Sequence, residues 1–220
     1  MADPIDLRHL QPPIKDQGRR GTCVAFAATA GHEVLRANGE DLCEEFLHWG
    51  AKQRDGLPWL VEGTTLAAAA ATLANLGQPP EHHWPYDEAR DYRAATYQSP
   101  ADALAAALTL RVTGGAAITP TAASLLSALQ AGQAVLLGIR LYSTWHFVTP
   151  DGEIRMPAAG TTSFGGHAVL LVGYRPDGSG GGSFIVRNSW GDDWGDEGYG
   201  YLPGQYVDAH GIEAWALALT

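Results

Sequence analysis

The sequence predicts an α+β fold, on three observations. Helical signals concentrate before about Gln130 and strand signals follow it, with the texture changing near Ser99. Seven Trp, eight Tyr and 45% hydrophobic residues in a chain of 220 residues supply enough apolar surface for a packed core. The 27 Gly and 13 Pro punctuate the chain without reaching the level of a low-complexity sequence. No internal repeat is visible, so one domain over residues 1–220 is expected.

The first helix is expected from Cys23 to about Asn38, with Thr22 as N-cap and Gly39 as the left-handed residue that ends it. It is apolar or small through Ala30, the pattern of a buried helix. A second helix is expected from Asp41-Leu42-Cys43-Glu44 through Lys52, where the D-x-x-E spacing fits a capping box. A third runs from Thr65 to Leu76 and stops at Gly77. Pro79 to Tyr86 reads as a connector, Ser99-Pro100 as a cap with proline in the first turn, and Pro120 to Gln130 as a further helix.

Five strands are expected beyond it: Ala134–Leu141, His167–Tyr174, Ser183–Asn188, Gly198–Leu202 and Ile212–Leu219. All are rich in Val, Ile, Leu and aromatics and are broken by Gly or Pro. Pro176-Asp177-Gly178 and the residues after it join two of them as a hairpin. The second half therefore reads as an antiparallel sheet or small barrel.

The formal charge of −10 and the lack of any basic run beyond Arg19-Arg20 exclude a nucleic-acid-binding surface and disfavour anionic membranes. The start Met1-Ala2-Asp3-Pro4 has no charged-then-apolar leader, and Leu66 to Leu76 is too short and weakly apolar to span a bilayer. A soluble, cytoplasmic protein is expected. A chain of this size needs no disulfide staple, so the two cysteines are free for chemistry.

Cys23 falls at the amino end of the first helix, where exposed N–H groups and the macrodipole favour an anion and lower a thiol's pKa. Gln17-Gly18 lies upstream, His167 opens a strand in Gly166-His167-Ala168-Val169, and Asn188 ends the next in Asn188-Ser189-Trp190-Gly191. A nucleophile, a base and an orienting group are thus all present. Cys43 reads as a structural thiol and His82-His83 as a solvated loop, since adjacent residues point apart. His146 lacks the strand context of His167, and Asp192, Asp193, Asp196 and Glu197 lack calcium-loop spacing. Neither a metal nor a cofactor is expected.

Three blocks, Ile14 to Ala27, Gly165 to Tyr174 and Arg187 to Tyr199, make the chain resemble the papain-like cysteine peptidases in the family's own order. The resemblance spans about Asp6 to Val207 and is loose from Tyr92 to Thr119. It implies a two-lobe fold, with a helical lobe over about 10–98, a β-rich lobe over about 99–220 and the active-site cleft between them. His167 follows Cys23 by 144 residues and Asn188 by 165, against the ~130–150 the family shows. By resemblance, Cys23 is the nucleophile, His167 its base, Asn188 the orienting group and Gln17 the side-chain donor of the oxyanion hole. Gly63, Gly166 and Trp190 are substrate-binding candidates: Gly63 pairs with an extended peptide, Gly166 leaves an open pocket floor and Trp190 shields the His167–Asn188 contact.

Arg20 stands where the secreted members have a cysteine, and their disulfides are missing, as a reducing compartment permits. Only about five residues precede Asp6, from which control by compartment, substrate or an inhibitory or regulatory partner protein is expected. The expected function is hydrolysis of peptide bonds in a protein or peptide substrate through an acyl-enzyme. Transfer of the acyl group to an amine, as in a transamidase or peptide ligase, and a catalytically silent peptide-binding module are the alternatives.

Overall fold

A computed structural model describes residues 3–218. Its first helix, α1 (Cys23–Arg36), has ten buried residues and crosses one face of a sheet. α1 ends at Ala37, which takes the left-handed conformation (φ 51°) and returns its N–H to the Glu33 carbonyl, two residues before the expected Gly39. α2 (Glu44–Lys52) is capped by Cys43, whose Sγ accepts from the Phe46 N–H; Asp41 is drawn instead to the Lys15 ammonium. The D-x-x-E capping box is therefore not formed. α3 (Leu66–Asn75) begins at Thr65, whose hydroxyl accepts from the Ala68 N–H.

α4 (Ala101–Ala107) starts after Pro100 and packs Ala103 and Ala107 onto Cys43, Phe46, Trp84 and Tyr97. The helical layer thus runs past the division expected near residue 99. α5 (Ala122–Gln130), capped by the Thr121 hydroxyl, and α6 (Gly204–His210) cover the opposite face of the sheet.

Among the described residues the strands are β1 (Ile5–Asp6), β2 (Gly114–Ile118), β3 (Ala134–Leu141), β4 (Gly165–Pro176), β5 (Gly182–Arg187), β6 (Tyr199–Pro203) and β7 (Gly211–Ala218). They pair antiparallel in the order β2-β7-β3-β4-β5-β6, and β1 adds to the far end of β4. Leu219, the expected last strand residue, lies outside the described residues.

Alternation along the strands divides the core in two. Leu136, Ala168, Leu170 and Val172 face α1 and α3, whereas Leu137, Ile139, Val169 and Leu171 face α5 and α6. Burial on both faces explains why β3 and β4 read as continuous apolar runs. The register Ile139↔His167 puts His167 at the end of β4 nearest the start of α1, with Gly138 of β3 facing Glu213 of β7. With α1 and α3 against one face of the antiparallel sheet and α5 and α6 against the other, the architecture is α+β.

Candidate active site

Cys23 and His167 line one cleft of about 190 Å³, between the start of α1 and the start of β4. The backbone amides of Ala168, Val24 and Cys23 itself lie against the thiol. This places the strand residue after His167 directly on the cysteine. Cys23 keeps part of its surface in the cleft, and protein encloses it on the other sides. That desolvation pushes its thiol up, and the backbone amides oppose the shift. Enclosure thus acts against the lowering expected from the helix terminus.

Burial pushes His167 the other way, down to about 4; its bond to Asn188 opposes this and nearby His146 reinforces it. His167 Nε2 lies 2.8 Å from Asn188 Oδ1, which also accepts from the Ser189 N–H at 2.9 Å. The Ser189 amide can only donate, so it fixes which end of Asn188 is oxygen and makes Nε2 the protonated nitrogen of the neutral ring. Nδ1 is then the acceptor. Asn188 Nδ2 is buried without a partner.

Trp190 does not line the cleft with Cys23. Its ring packs on His167 (centroids 4.7 Å apart) and lies parallel to His146 at 5.2 Å, so it covers the His167–Asn188 pair instead of contacting the cleft. His146 is exposed and also outside the cleft lining. Trp145, unremarked in the sequence, is fully buried against His167, Trp190 and Trp194 and donates its indole N–H to Tyr206.

Gln17 is buried beside this group but is not among the cleft-lining residues. Its Oε1 accepts from the Ser189 hydroxyl at 2.6 Å, and Nε2 donates one hydrogen to the Arg20 carbonyl at 2.7 Å. An amide nitrogen carries two hydrogens, so one remains uncommitted.

Gly63 and Gly166 both line the cleft. Gly63 gives its carbonyl to the Lys52 ammonium at 3.2 Å, which fixes the orientation of that peptide and uses one of the oxygen's two lone pairs. The same ammonium takes the Val61 carbonyl and pairs with Asp55, with both charged side chains fully buried. Lys52 therefore anchors the loop that forms the helical wall of the cleft. Gly21 meets this loop: a Cβ there would sit 3.1 Å from the Gly63 nitrogen and 3.3 Å from the Glu62 Cβ.

Arg20 closes the same region from behind. Its guanidinium makes a two-pronged pair with Glu45 at 2.7 and 2.9 Å and a third bond to the Asp87 carbonyl. Cys43 is remote from this chemistry: its thiol donates to the Trp84 carbonyl, and burial pushes its pKa well up. His83 pairs with Asp102 at 2.8 Å.

A cysteine at a helix start and a histidine bound to asparagine share a cleft between a helical layer and an antiparallel sheet, an arrangement suited to thiol–imidazole chemistry. The sequence matches the model of the papain family of cysteine proteases over residues 1–219, and the chain belongs to that family. It is 32% identical to Peptidase 1 of Euroglyphus maynei over 218 residues, covering 90% of this chain and 60% of that one. It is 27% identical to an uncharacterized peptidase C1-like protein of Acanthamoeba polyphaga mimivirus, of which it spans 64%, with 87% of this chain covered. Among solved structures, xylellain, a cysteine protease from Xylella fastidiosa, superposes with a TM-score of 0.87 at 25% identity, covering 100% of this chain and 87% of that one. The bromelain protease from Ananas comosus shares the fold, with a TM-score of 0.73 at 22% identity over the whole of both chains.

Proposed function

We propose that the protein is a peptidase in which Cys23 attacks a peptide carbonyl, His167 carries the proton and Asn188 orients the imidazole. The observation that carries this reading is the meeting of Cys23 and His167 in one cleft, with His167 Nε2 bound to Asn188 so that Nδ1 is the free acceptor. Taken singly, each group is driven toward its neutral form by burial. Moving the proton from sulfur to Nδ1 creates opposite charges within one cleft, whose attraction in a low-dielectric site opposes both desolvation costs. Trp190 and Trp145 exclude water from the Asn188 side of the ring.

In the first step the thiolate sulfur bonds to the carbonyl carbon, and the carbonyl electron pair moves to oxygen. The Cys23 backbone N–H and the uncommitted Gln17 Nε2 hydrogen are the proposed donors to that oxyanion. Collapse breaks the C–N bond, the imidazolium gives its proton to the leaving amine, and a thioester remains. Water then repeats the sequence: His167 takes a proton from it, and the acid and the free thiol are released.

Three preparations test the reading. Cys23→Ala is expected to abolish peptide hydrolysis and labelling by a thiol-reactive epoxide, while Cys43→Ser, which preserves a hydroxyl cap for α2, retains both. Hydrolysis that survives Cys23→Ala overturns the assignment. Product masses with and without added amine distinguish water from an amine as acceptor.

A further inference from the structure

The rings around His167 form two stacks that cross. In the first, Trp190 packs on His167 with centroids 4.7 Å apart and a 32° tilt, and His146 lies within 3° of parallel to the same indole at 5.2 Å. In the second, Trp145 and Trp194 lie 15° from parallel at 5.8 Å. Trp145 meets His167 at 77° and Trp190 at 75°, and Trp194 meets Trp190 at 86°. The imidazole thus has one indole along its plane and a second across it, the latter at 5.8 Å between centroids.

The crosswise indole is fixed at both ends. Trp145 closes the 3-10 turn Ser143–Trp145 after β3, and its indole N–H donates to the Tyr206 hydroxyl of α6 at 2.9 Å. That hydroxyl donates in turn to the Arg140 carbonyl of β3 at 2.8 Å, and the Trp145 carbonyl accepts the Trp194 indole N–H at 2.8 Å. With its own indole N–H committed, the Trp145 side chain has its π system to offer His167. Rings at right angles set the positive edge of one against the negative face of the other. An indole also attracts a cation within about 6 Å of its centroid, most strongly where water is excluded. Trp145 is fully buried, so the setting is of that kind. Among the described residues no carboxylate hydrogen-bonds His167; Asn188, a neutral amide, holds Nε2. The titratable groups near the ring are Cys23, Glu62 and Glu213 in the cleft and His146 on Trp190, and His146 acts against a positive charge there.

We infer that Trp145 is a positioning residue: locked by Tyr206 and Trp194, its indole holds the His167 ring crosswise and stabilises it in the protonated form that the reaction uses. The inference rests on the peptidase reading above. Two proton transfers bound the active thiolate–imidazolium pair. On the acid side Cys23 takes up a proton beside an already charged His167; on the alkaline side the imidazolium loses its own. Support for the imidazolium therefore extends the alkaline limb of the rate profile and leaves the acid limb in place.

The test is the pH profile of kcat/KM for a fluorogenic peptide amide, with Cys23 alkylation by iodoacetamide in parallel, in wild type, Trp145→Phe and Trp145→Leu. In Trp145→Leu the alkaline limb is expected to fall by about half to one pH unit, with the acid limb unmoved and kcat reduced more than KM is raised. Trp145→Phe, which keeps a ring, is expected to recover most of that shift. Fluorinated tryptophans placed at position 145 alone keep the shape and the N–H while weakening the ring's negative face, and the alkaline limb is expected to fall with each added fluorine. Should Trp145→Leu not fold, the fluorine series decides alone. An alkaline limb that stays or rises in Trp145→Leu, that falls equally in Trp145→Phe, or that is indifferent to fluorine overturns the inference while leaving the peptidase reading intact. No cleavage of any peptide by the wild type refutes that reading and this inference with it.

Discussion

Replacing Arg20 by alanine removes the cation that holds Glu45. Both side chains are inside the protein, 7% and 0% exposed, and the two-pronged contact at 2.7 and 2.9 Å leaves little slack. Breaking a buried ion pair from one side costs about 3–5 kcal/mol, because the remaining charge stays buried. Here Arg90 lies 3.0 Å from Glu45, and the Tyr97 hydroxyl donates to it at 2.6 Å, so the loss is expected near the lower limit, about 3 kcal/mol. For a chain of this size that is a fall of about 6–12 °C in Tm. Urea and thermal denaturation of wild type and Arg20→Ala, each at low and at about 0.5 M salt, measure it. A buried pair is screened little, so the difference is expected to persist at high salt. A loss below about 1 kcal/mol, or one abolished by salt, has the signature of a surface pair and refutes the reasoning.

Other consequences are equally direct. His48 is buried between Tyr92 and Tyr97 with both ring nitrogens unpartnered among the described residues, and burial pushes its pKa down to about 3. The unfolded chain therefore takes up this proton first, and stability is lost as pH falls below about 6.5 toward 3. Relative to wild type, His48→Phe is expected to gain about 1.4 kcal/mol per pH unit across that window, read from urea melts in a pH series; a pH-independent difference contradicts it. In Gly21→Ala the new Cβ, 3.1 Å from the Gly63 nitrogen, pushes the helical wall of the cleft by a few tenths of an ångström. KM for peptides is expected to rise several-fold while iodoacetamide still alkylates Cys23; an unchanged KM argues against that wall binding substrate. Asn188→Ala removes the acceptor at 2.8 Å from His167 Nε2 and frees the ring to take the wrong tautomer. A fall in kcat of about 10²-fold or more is expected, with a smaller change in KM.

What the sequence disclosed depended on range. α1, α3 and α5 are legible as apolar runs ended by polar or Gly residues, although the Thr22 hydroxyl expected to cap α1 bonds the Arg20 carbonyl and the Tyr86 hydroxyl instead of a helix amide. β3 and β4 were legible because both faces are buried. β2 was not: Gly114-Gly115-Ala116-Ala117-Ile118 has little strand character, and it exists because β7 offers it an edge. α6 opens on a glycine between two strands and is only seven residues long. The cap of α2 was misplaced because Asp41, the better capping residue, is claimed by Lys15, 26 positions away in sequence.

The site divides in the same way. Cys23, His167 and Asn188 stand out through their local blocks, whereas the enclosure that pushes the lone Cys23 thiol up comes from several elements and leaves no local signal. Arg20 stands out in the sequence only for the cysteine it replaces, since its partner Glu45 lies on α2. Lys52 offered no signal, because the carbonyls it holds have no side-chain signature.

The central claim is that Cys23 reacts through His167. It is tested most directly by the pH dependence of Cys23 alkylation by iodoacetamide, located by peptide mass, in wild type and His167→Ala. A shared proton predicts alkylation in the wild type well below the ordinary thiol pKa of about 8.5, lost in His167→Ala, with Cys43 unlabelled in both. Alkylation that rises only above that pKa, with the same profile in both proteins, would contradict the account.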